Sequence, residues 1–413
     1  MQSEWLECTL GDAITLKRGY DLPAKKRRPG AVPIVSSSGI SDFHADSMVK
    51  GPGVVTGRYG TIGQVFYVSQ NFWPLNTTLY VQDFKGNDRR FISYLLRTVD
   101  YHQFSDKAAV PGVNRNHLHT ARIALPPPSE QVHIAGVLQA LDDRIDLLRQ
   151  TNATLEAIAQ ALFKSWFVDF DPVRAKAEGR EPEGMDAATA ALFPSEFEDS
   201  ALGPIPKGWR AVSVADMCSH VSNGGTPSRA KPEFWSGGKV PWFKTGELVD
   251  AHLLRPTERI TSDAVAKTSV KVLPRHAVLM AIYAAPTVGR LGILTEEAAF
   301  NQACTGMVAK PAIGTWFLFQ TLFHARDWFN SRANGAAQQN ISKGIVESYQ
   351  CVQPSLELLR AFHELASELY ASAERGARQA HVLAELRDAL LPRLISGKLR
   401  IGNAADLVDE ALT

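Results

Sequence analysis

The chain repeats itself, and a duplicated sequence restricts the fold to something built from two like halves. Trp5-Leu6 and Leu10-Gly11-Asp12 return as Trp209-Arg210 and Val214-Ala215-Asp216. Val54-Val55-Thr56-Gly57-Arg58-Tyr59-Gly60-Thr61-Ile62-Gly63 returns as Val278-Leu279-Met280 followed by Val288-Gly289-Arg290-Leu291-Gly292. Asn76-Thr77-Thr78 is echoed by Asn301-Gln302-Ala303, and Val113-Asn114 by Gln339-Asn340. The offset grows from 204 at the tryptophans to 224–226 later, so the second copy carries about 20 extra residues near its start. A chain with two like halves suits a ligand that also has two halves, and duplex DNA is the foremost candidate.

Charge follows the same period. The whole chain is nearly neutral at +1, which by itself argues against a DNA binder. By segment, residues 1–128 carry +5, 129–200 carry −8, 201–353 carry +6 and 354–413 carry −2. Two basic, β-rich modules therefore alternate with two acidic, helical stretches, and a phosphate backbone would favour the first pair and avoid the second. The sequence has no N-terminal signal and no apolar run of about 18 residues, so a cytoplasmic protein without a membrane partner is expected. Cys8, Cys218, Cys304 and Cys351 are too widely spaced for a zinc pattern and read as reduced thiols.

After Pro126-Pro127-Pro128, Ser129-Glu130-Gln131 offers an N-cap and an acidic first turn. Ile134, Leu138, Leu141, Ile145, Leu148, Asn152, Leu155, Ala159, Leu162 and Trp166 then recur at spacings of four and three, the 3.5-residue seam of a coiled coil. Leu358, Phe362, Leu365, Leu369, Ser372, Gly376, Gln379, Leu383, Leu386 and Leu390 repeat that spacing, with Pro392 expected to end the helix. Helices of this length are expected to pair with each other, antiparallel. With their middles aligned, Asn152 falls opposite Ser372–Gly376, as a register lock or as a loose, wet position. Between the first helix and the second module, residues 171–208 are acidic and rich in Pro and Gly, suiting an extended linker.

Short apolar runs (Val32–Val35, Gly53–Val55, Gln64–Val68, Thr78–Val81) and short helices near Phe91–Val99 and Trp316–Phe329 give each module a mixed α/β character. Their loops supply candidate DNA contacts: Ser37, Arg58, Tyr59, Lys107, Asn114 and Arg115 in the first copy. The second offers Asn223, Lys244, Thr245, Arg290, Gln338, Gln339, Asn340 and Lys343. Arg and Lys suit guanine edges or phosphates, and Asn and Gln suit adenine. The cluster Phe163, Trp166, Phe167 and Phe170 is a candidate anchor for a protein partner, or else plugs the base of the first module. Neither a Walker A loop, nor a methyltransferase Asn-Pro-Pro-Tyr motif, nor a metal-spaced His/Asp cluster occurs. Gly57–Gly63 lacks the Lys-Ser/Thr of a phosphate loop and reads as strand–turn–strand. No catalytic residue, cofactor or metal is assigned to this chain.

Several stretches closely resemble the specificity subunit of type I restriction-modification systems. They are Pro127-Pro128-Ser129-Glu130-Gln131, Leu141-Asp142-Asp143-Arg144-Ile145 and Leu162-Phe163-Lys164-Ser165-Trp166-Phe167-Val168-Asp169-Phe170. With them go Gly203-Pro204-Ile205-Pro206-Lys207-Gly208-Trp209, Gly335-Ala336 with Gln339-Asn340-Ile341-Ser342, and the tail Leu390–Leu399. The first module departs from the pattern, with Ala108-Ala109-Val110-Pro111-Gly112-Val113-Asn114 in place of a Gly-rich form. The resemblance implies a non-catalytic scaffold in which two target recognition domains each read half of a bipartite site on double-stranded DNA, joined by helices that act as a ruler. It implies two modification subunits that methylate adenine with S-adenosylmethionine, and restriction subunits that use ATP and Mg.

The expected fold is α+β: two α/β domains separated by two long antiparallel coiled-coil helices, with a pseudo-twofold internal repeat. Expected boundaries are 1–128 for the first recognition domain, 129–170 for the central helix, 171–208 for the linker, 209–353 for the second domain, 354–400 for the C-terminal helix and 401–413 for a tail. The competing readings are a catalytic restriction–methylation fusion and a coiled-coil adaptor that never touches DNA. The missing motifs oppose the first, and the two basic modules oppose the second.

Overall fold

The structure, a computed structural model, describes residues 5–104, 112–283, 287–333 and 340–401 together with Ala404 and Val408. It divides into two compact units, Met1–Leu147 with Ala380–Thr413, and Leu148–Gln379. The division falls within both long helices, so each unit holds one β-rich module and half of each helix.

The first module runs β1 (Leu6–Thr9), α1 (Leu10–Ala13), β2 (Thr15–Arg18), β3 (Val32–Ser36), β4 (Gly39–His44), β5 (Gly53–Gly57), β6 (Val65–Val68), β7 (Trp73–Pro74), β8 (Thr78–Asp83), α2 (Arg89–Thr98), α3 (Arg115–Leu118) and β9 (Arg122–Leu125). Its first and last strands, β1 and β9, pair antiparallel, so the module closes on itself just before α4 (Pro128–Phe167) begins. One sheet has the order β2-β8-β5-β6 and the other β4-β3-β7, with β3 and β7 parallel. β5 is buried along its whole length, which suits its near-continuous apolar sequence.

Between the modules lie α5 (Asp171–Ala177), α6 (Ala187–Ala191) and the hairpin β10 (Phe197–Ser200)–β11 (Gly203–Pro206). The expectation of an extended linker is therefore corrected. Phe193 and Ile205 are 2% and 4% exposed, and their burial offsets the chain entropy that a Pro/Gly-rich composition would otherwise keep.

The second module runs β12 (Arg210–Ser213), α7 (Val214–Met217), β13 (Cys218–Asn223), β14 (Val240–Phe243), β15 (Ala251–Leu253), β16 (Glu258–Ile260), α8 (Ser262–Lys267), β17 (Val272–Leu273), β18 (Val278–Ala281), β19 (Leu291–Leu294), β20 (Ala298–Phe300), β21 (Cys304–Ala309), α9 (Thr315–His324), α10 (Arg326–Ser331), α11 (Lys343–Ser348) and β22 (Gln350–Gln353). β12 pairs with β22 immediately before α12 (Leu356–Ile395), as β1 pairs with β9 before α4. β13-β21-β18-β19 repeats β2-β8-β5-β6, and β16-β14-β20 repeats β4-β3-β7. Even the first turns coincide. Thr9 Oγ1 and Ser213 Oγ each donate to an aspartate, Asp12 or Asp216, at 2.6 Å. The backbone N–H of each aspartate donates to that hydroxyl at 3.2 Å, and the backbone N–H of Thr9 or Ser213 donates to the carboxylate at 2.9 Å, closing a capping box. The extra residues of the second copy include β15, which lies on the outer edge of β19, whereas β17 beside β20 matches the bridge between Val49 and Phe72 in the first copy.

Both long helices contain 40 residues. α4 starts at Pro128, one residue before the expected cap, because a proline at the first helical position sacrifices no hydrogen bond. In the first unit Asp142 accepts from Arg387 Nη1 at 2.7 Å, and Arg400 lies 3.7 Å from Glu130. Within the second unit, a Cβ on Gly376 would lie 2.4 Å from Asn152 Oδ1, and Phe163 meets Phe362 with ring centroids 5.8 Å apart. Rising positions on α4 thus meet falling positions on α12 inside each unit, which is the expected antiparallel pairing, and Asn152 faces Gly376.

Two expectations for α12 are corrected. Leu365 of the seam is 44% exposed, while Ala366, Tyr370 and Ala373 are buried in its place. The buried face turns because α9 also packs on this half: Trp316 stacks on Tyr370 with centroids 4.2 Å apart, and Gln320 Nε2 donates to Tyr370 Oη at 2.5 Å. Pro392 does not end the helix, which continues to Ile395. The proline removes one hydrogen bond near a terminus, and buried Leu394 and Ile395 hold the last turn in place.

Candidate nucleic-acid interface

In the first unit the chain turns from β5 to β6, with Gly57 N donating to Gln64 O at 2.9 Å. In the second, Ala281 N donates to Arg290 O at 2.9 Å across the β18–β19 turn. Gly63 and Gly289 both take φ +80° at the end of their turns, a conformation open to glycine at little cost. Each turn is also tied to the segment ahead of a short helix. Val113 N donates to Arg58 O at 3.1 Å and Ile341 N to Ile282 O at 2.9 Å, with Tyr59 bridging Gly112 and Tyr283 bridging Asn340. This geometry places Tyr59 and Tyr283 at equivalent points, 37% and 39% exposed.

Tyr283 escaped the sequence reading, although the offset of 224 between Val54 and Val278 maps Tyr59 directly onto it. The same superposition corrects another point. Arg58 opens its turn and corresponds to Ile282, whereas Arg290 closes its turn and corresponds to Gln64. The two arginines are not counterparts.

The other candidates divide by what already holds them. Arg58 donates from Nε to Val113 O at 3.3 Å and lies 4.5 Å from the centre of the Tyr59 ring. Ser37 lies in the β3–β4 turn beside the Gly57–Gly60 loop. Asn114 caps α3 by accepting from Asn116 N at 2.9 Å, and Arg115 beside it is exposed. Asn223 accepts from Thr305 Oγ1 at 2.8 Å, while Thr245 begins a short 3-10 turn. Lys244 reaches Glu258 at 2.8 Å, and Arg229 grips the same carboxylate with Nη2 at 3.0 Å. Those hydrogen bonds hold the Glu258 carboxyl down at about 2, so the Lys244 charge is matched within the chain. Lys343 lies 3.0 Å from Glu347 one turn along α11, and Asn340 is half-buried. Lys107, Gln338 and Gln339 lie outside the described residues.

The aromatic cluster is corrected. Phe163, Trp166 and Phe167 are 4%, 3% and 5% exposed, and Phe170 is half-buried. They pack on Phe317, Phe193, Trp209 and Phe362 with centroids 5.2–6.2 Å apart, inside the core of the second unit. As anchors for another protein they are already spent, and the module whose base they plug is the second rather than the first. The two echo tryptophans play matching roles in their own units. Trp209 lies against Phe167 and Phe170 at the end of α4, and Trp5 against Gly397 just past α12.

Burial pushes the thiols of Cys218 and Cys351 up to about 12 and raises those of Cys8 and Cys304. Among the described residues no group of three or more His, Cys, Asp or Glu side chains could hold a metal ion.

Two basic, β-rich modules that share a core strand order each feed a 40-residue helix. Residues 2–157 and 206–358 each match the family described as the type I restriction modification DNA specificity domain, and the chain belongs to that family. It is 26% identical over 337 residues to the specificity subunit of the type I restriction enzyme HindI of Haemophilus influenzae, covering 71% of this chain and 72% of that one. It is 24% identical over 328 residues to the MjaIX specificity subunit of Methanocaldococcus jannaschii, covering 75% and 69%. The fold is similar to the crystal structure of a type I restriction-modification S subunit from M. genitalium, at 14% identity, a TM-score of 0.59, and 95% and 96% coverage. As a specificity subunit the chain contributes recognition and carries no catalysis of its own.

Proposed function

We propose that each module reads one half of a bipartite sequence in double-stranded DNA, and that α4 and α12 set the gap between the halves. The observation that carries this reading is the repeated topology, down to the equivalent turns bearing Tyr59 and Tyr283. A module that closes on itself before its helix begins can read its half independently. The basic charge of each module supplies the sequence-independent attraction to phosphate, and the turn and loop side chains supply base contacts. Two modification subunits methylate adenine in the site with S-adenosylmethionine, and restriction subunits add ATP- and Mg-dependent translocation and cutting. No helix among the described residues is long and apolar enough to cross a membrane, in keeping with work on DNA in the cytoplasm.

The test is to express the chain with its modification subunits in a host free of adenine methylation and to map methylated adenines across the genome. The expected result is a split motif: two short specific parts separated by a fixed, non-specific spacer. An uninterrupted motif would overturn the reading, and methyl transfer by the purified chain alone would favour a fused enzyme.

A further inference from the structure

A pair of loops meets at the same point of each module, with the backbone alike and the side chains exchanged. Gly19 N donates to Thr78 O at 3.1 Å and Tyr20 N to Pro74 O at 2.8 Å. In the second module Gly224 N donates to Cys304 O at 3.1 Å and Gly225 N to Phe300 O at 2.9 Å. The approach leaves no room for a side chain: a Cβ on Gly19 would run into Leu75 O, and one on Gly224 into Phe300 O. By this register Asp21 corresponds to Thr226, and Asn76 to Gln302, one residue past the Asn301 that the sequence echo sets against it. A hydrogen bond closes each pair. Asn76 Nδ2 donates to Asp21 Oδ1 in the first module, and Thr226 Oγ1 to Gln302 Oε1 in the second. Asp21, Thr226 and Gln302 are exposed, and Asn76 is half-buried. The next residue along holds the turn that bears Tyr59 or Tyr283. Thr77 O accepts from Arg58 N at 3.0 Å and from Tyr59 N at 3.2 Å, and Ala303 O from Ile282 N at 2.9 Å.

A contact that only tied two loops together would keep its chemistry from copy to copy, as the glycines and the capping boxes do. Here the scaffold is kept and the functional groups differ, which fits one framework to two different half-sites. Asp21 sets an exposed carboxylate, partnered by a neutral amide, in a module that carries +5. A carboxylate repels phosphate and only accepts hydrogen bonds. In the major groove, cytosine offers a donor, its N4 amino group, with no acceptor of its own beside it, whereas adenine N7, guanine N7 and O6 and thymine O4 would each set an acceptor against the carboxylate. Gln302 accepts from Thr226 and retains its two amide hydrogens and a second lone pair on Oε1, the set that meets adenine N7 and N6 together.

We infer that these pairs read bases directly. Asp21, oriented by Asn76, takes the N4 amino group of a cytosine in one half-site, and Gln302, oriented by Thr226, takes N6 and N7 of an adenine in the other. The inference rests on the reading of the chain as a two-module DNA reader, and it adds one base-specifying position in each half.

The chain is expressed with its modification subunits in a host free of adenine methylation, and methylated adenines are mapped for the parent, Asp21→Asn and Gln302→Glu. The parent motif should hold a C·G pair in the half that Asp21→Asn alters; a half without one overturns the inference. Asp21→Asn keeps the size of the side chain and a partner for Asn76 but exchanges a carboxylate for an amide. At that pair the preference for C·G over A·T should fall about tenfold, with the other half and the spacer unchanged. Gln302→Glu makes the opposite exchange, and at one pair of the other half the preference for A·T over C·G should fall about tenfold. An unchanged motif in a folded variant overturns the inference. So does a uniform loss of methylation with base preferences unaltered, which is what a mere tie between loops would give. Melting curves of the purified chains identify a variant that fails to fold, and the other variant then decides alone by the same outcomes. A parent without a split motif refutes the two-module reading itself, whereas a split parent motif with unchanged variants refutes only the base contacts.

Discussion

Asp142 is where the first module is fastened to the helix pair, and removing its carboxylate gives the sharpest stability prediction. One oxygen accepts from Tyr94 Oη at 2.7 Å and lies 3.4 Å from Arg97 Nη1; the other accepts from Arg387 Nη1 at 2.7 Å. Burial opposes the charge, but the hydrogen bonds from Arg387 and Tyr94 and the charge of Arg97 outweigh it and hold the carboxyl below its ordinary range. Asp142→Ala would leave the Tyr94 phenol and the Arg97 guanidinium without this acceptor and Arg387 with Asp388 alone. Breaking a fully buried pair costs about 3–5 kcal/mol. Asp142 and Arg387 are each 20% exposed, so about 3 kcal/mol is the reasoned figure. The unit holds about 180 residues, for which each kcal/mol moves the midpoint by about 2–4 °C, giving a fall of about 6–12 °C. Differential scanning calorimetry at pH 7 measures this, with Asp142→Asn expected to lose less because it keeps one acceptor. A fall below about 2 °C for the alanine variant would show that the network does not carry the joint. Because the folded-state carboxyl is depressed, its contribution is present above the ordinary aspartate range and fades as pH falls through the folded value.

Three further outcomes follow from other parts of the molecule. Burial, with Asp250 nearby, raises the Glu156 carboxyl to about 7, so folding favours its protonated form and loses stability as pH climbs from about 4.5 to 7; Glu156→Gln should therefore gain about 1–2 kcal/mol at pH 8, after allowance for partial exposure, and almost nothing at pH 5, and equal gains at both pH values would refute this. Tyr59→Ala and Tyr283→Ala should each lower specific DNA affinity of the assembled complex roughly tenfold, within the range of about 1–3 kcal/mol for a lost specific contact, and leave the salt slope unchanged because the side chain is neutral; affinity within twofold of the parent would remove these residues from the interface. Four residues inserted into both α4 near Asn152 and α12 near Gly376 add about 6 Å and a net turn of roughly 40°, close to the roughly 35° of one base pair, so methylation mapping should recover both half-sequences with the spacer longer by one base pair; an unchanged spacer at full activity would mean that the helices do not set it.

Much of this architecture is legible in the sequence because duplication and heptad spacing are periodic signals. The seam of α4 is buried at Ile134, Leu138, Leu141, Ile145, Ala159 and Trp166, as the spacing requires. What escaped is what depends on a third partner. The turn of the α12 face from Leu365 to Ala366 comes from Trp316 and Gln320 packing on Tyr370, which no local period encodes. The folding of residues 171–208 comes from a few apolar side chains, Phe193 and Ile205, placed against Trp166 and its neighbours. At the interface, composition marked polar loops but could not separate side chains committed to the chain, such as Asn114, Asn223 and Lys244, from those left outward. Tyr283 was within reach through the repeat offset alone.

The claim that each module reads its own half is tested most directly by exchange. Residues 1–128 are replaced by the first module of a relative with a different specificity, keeping the junction where β9 ends and α4 begins. The hybrid is assembled with the modification subunits, and methylated adenines are mapped. The account predicts a split motif in which one half is new, while the other half and the spacer are those of the parent. A motif changed in both halves, or in neither, would contradict it.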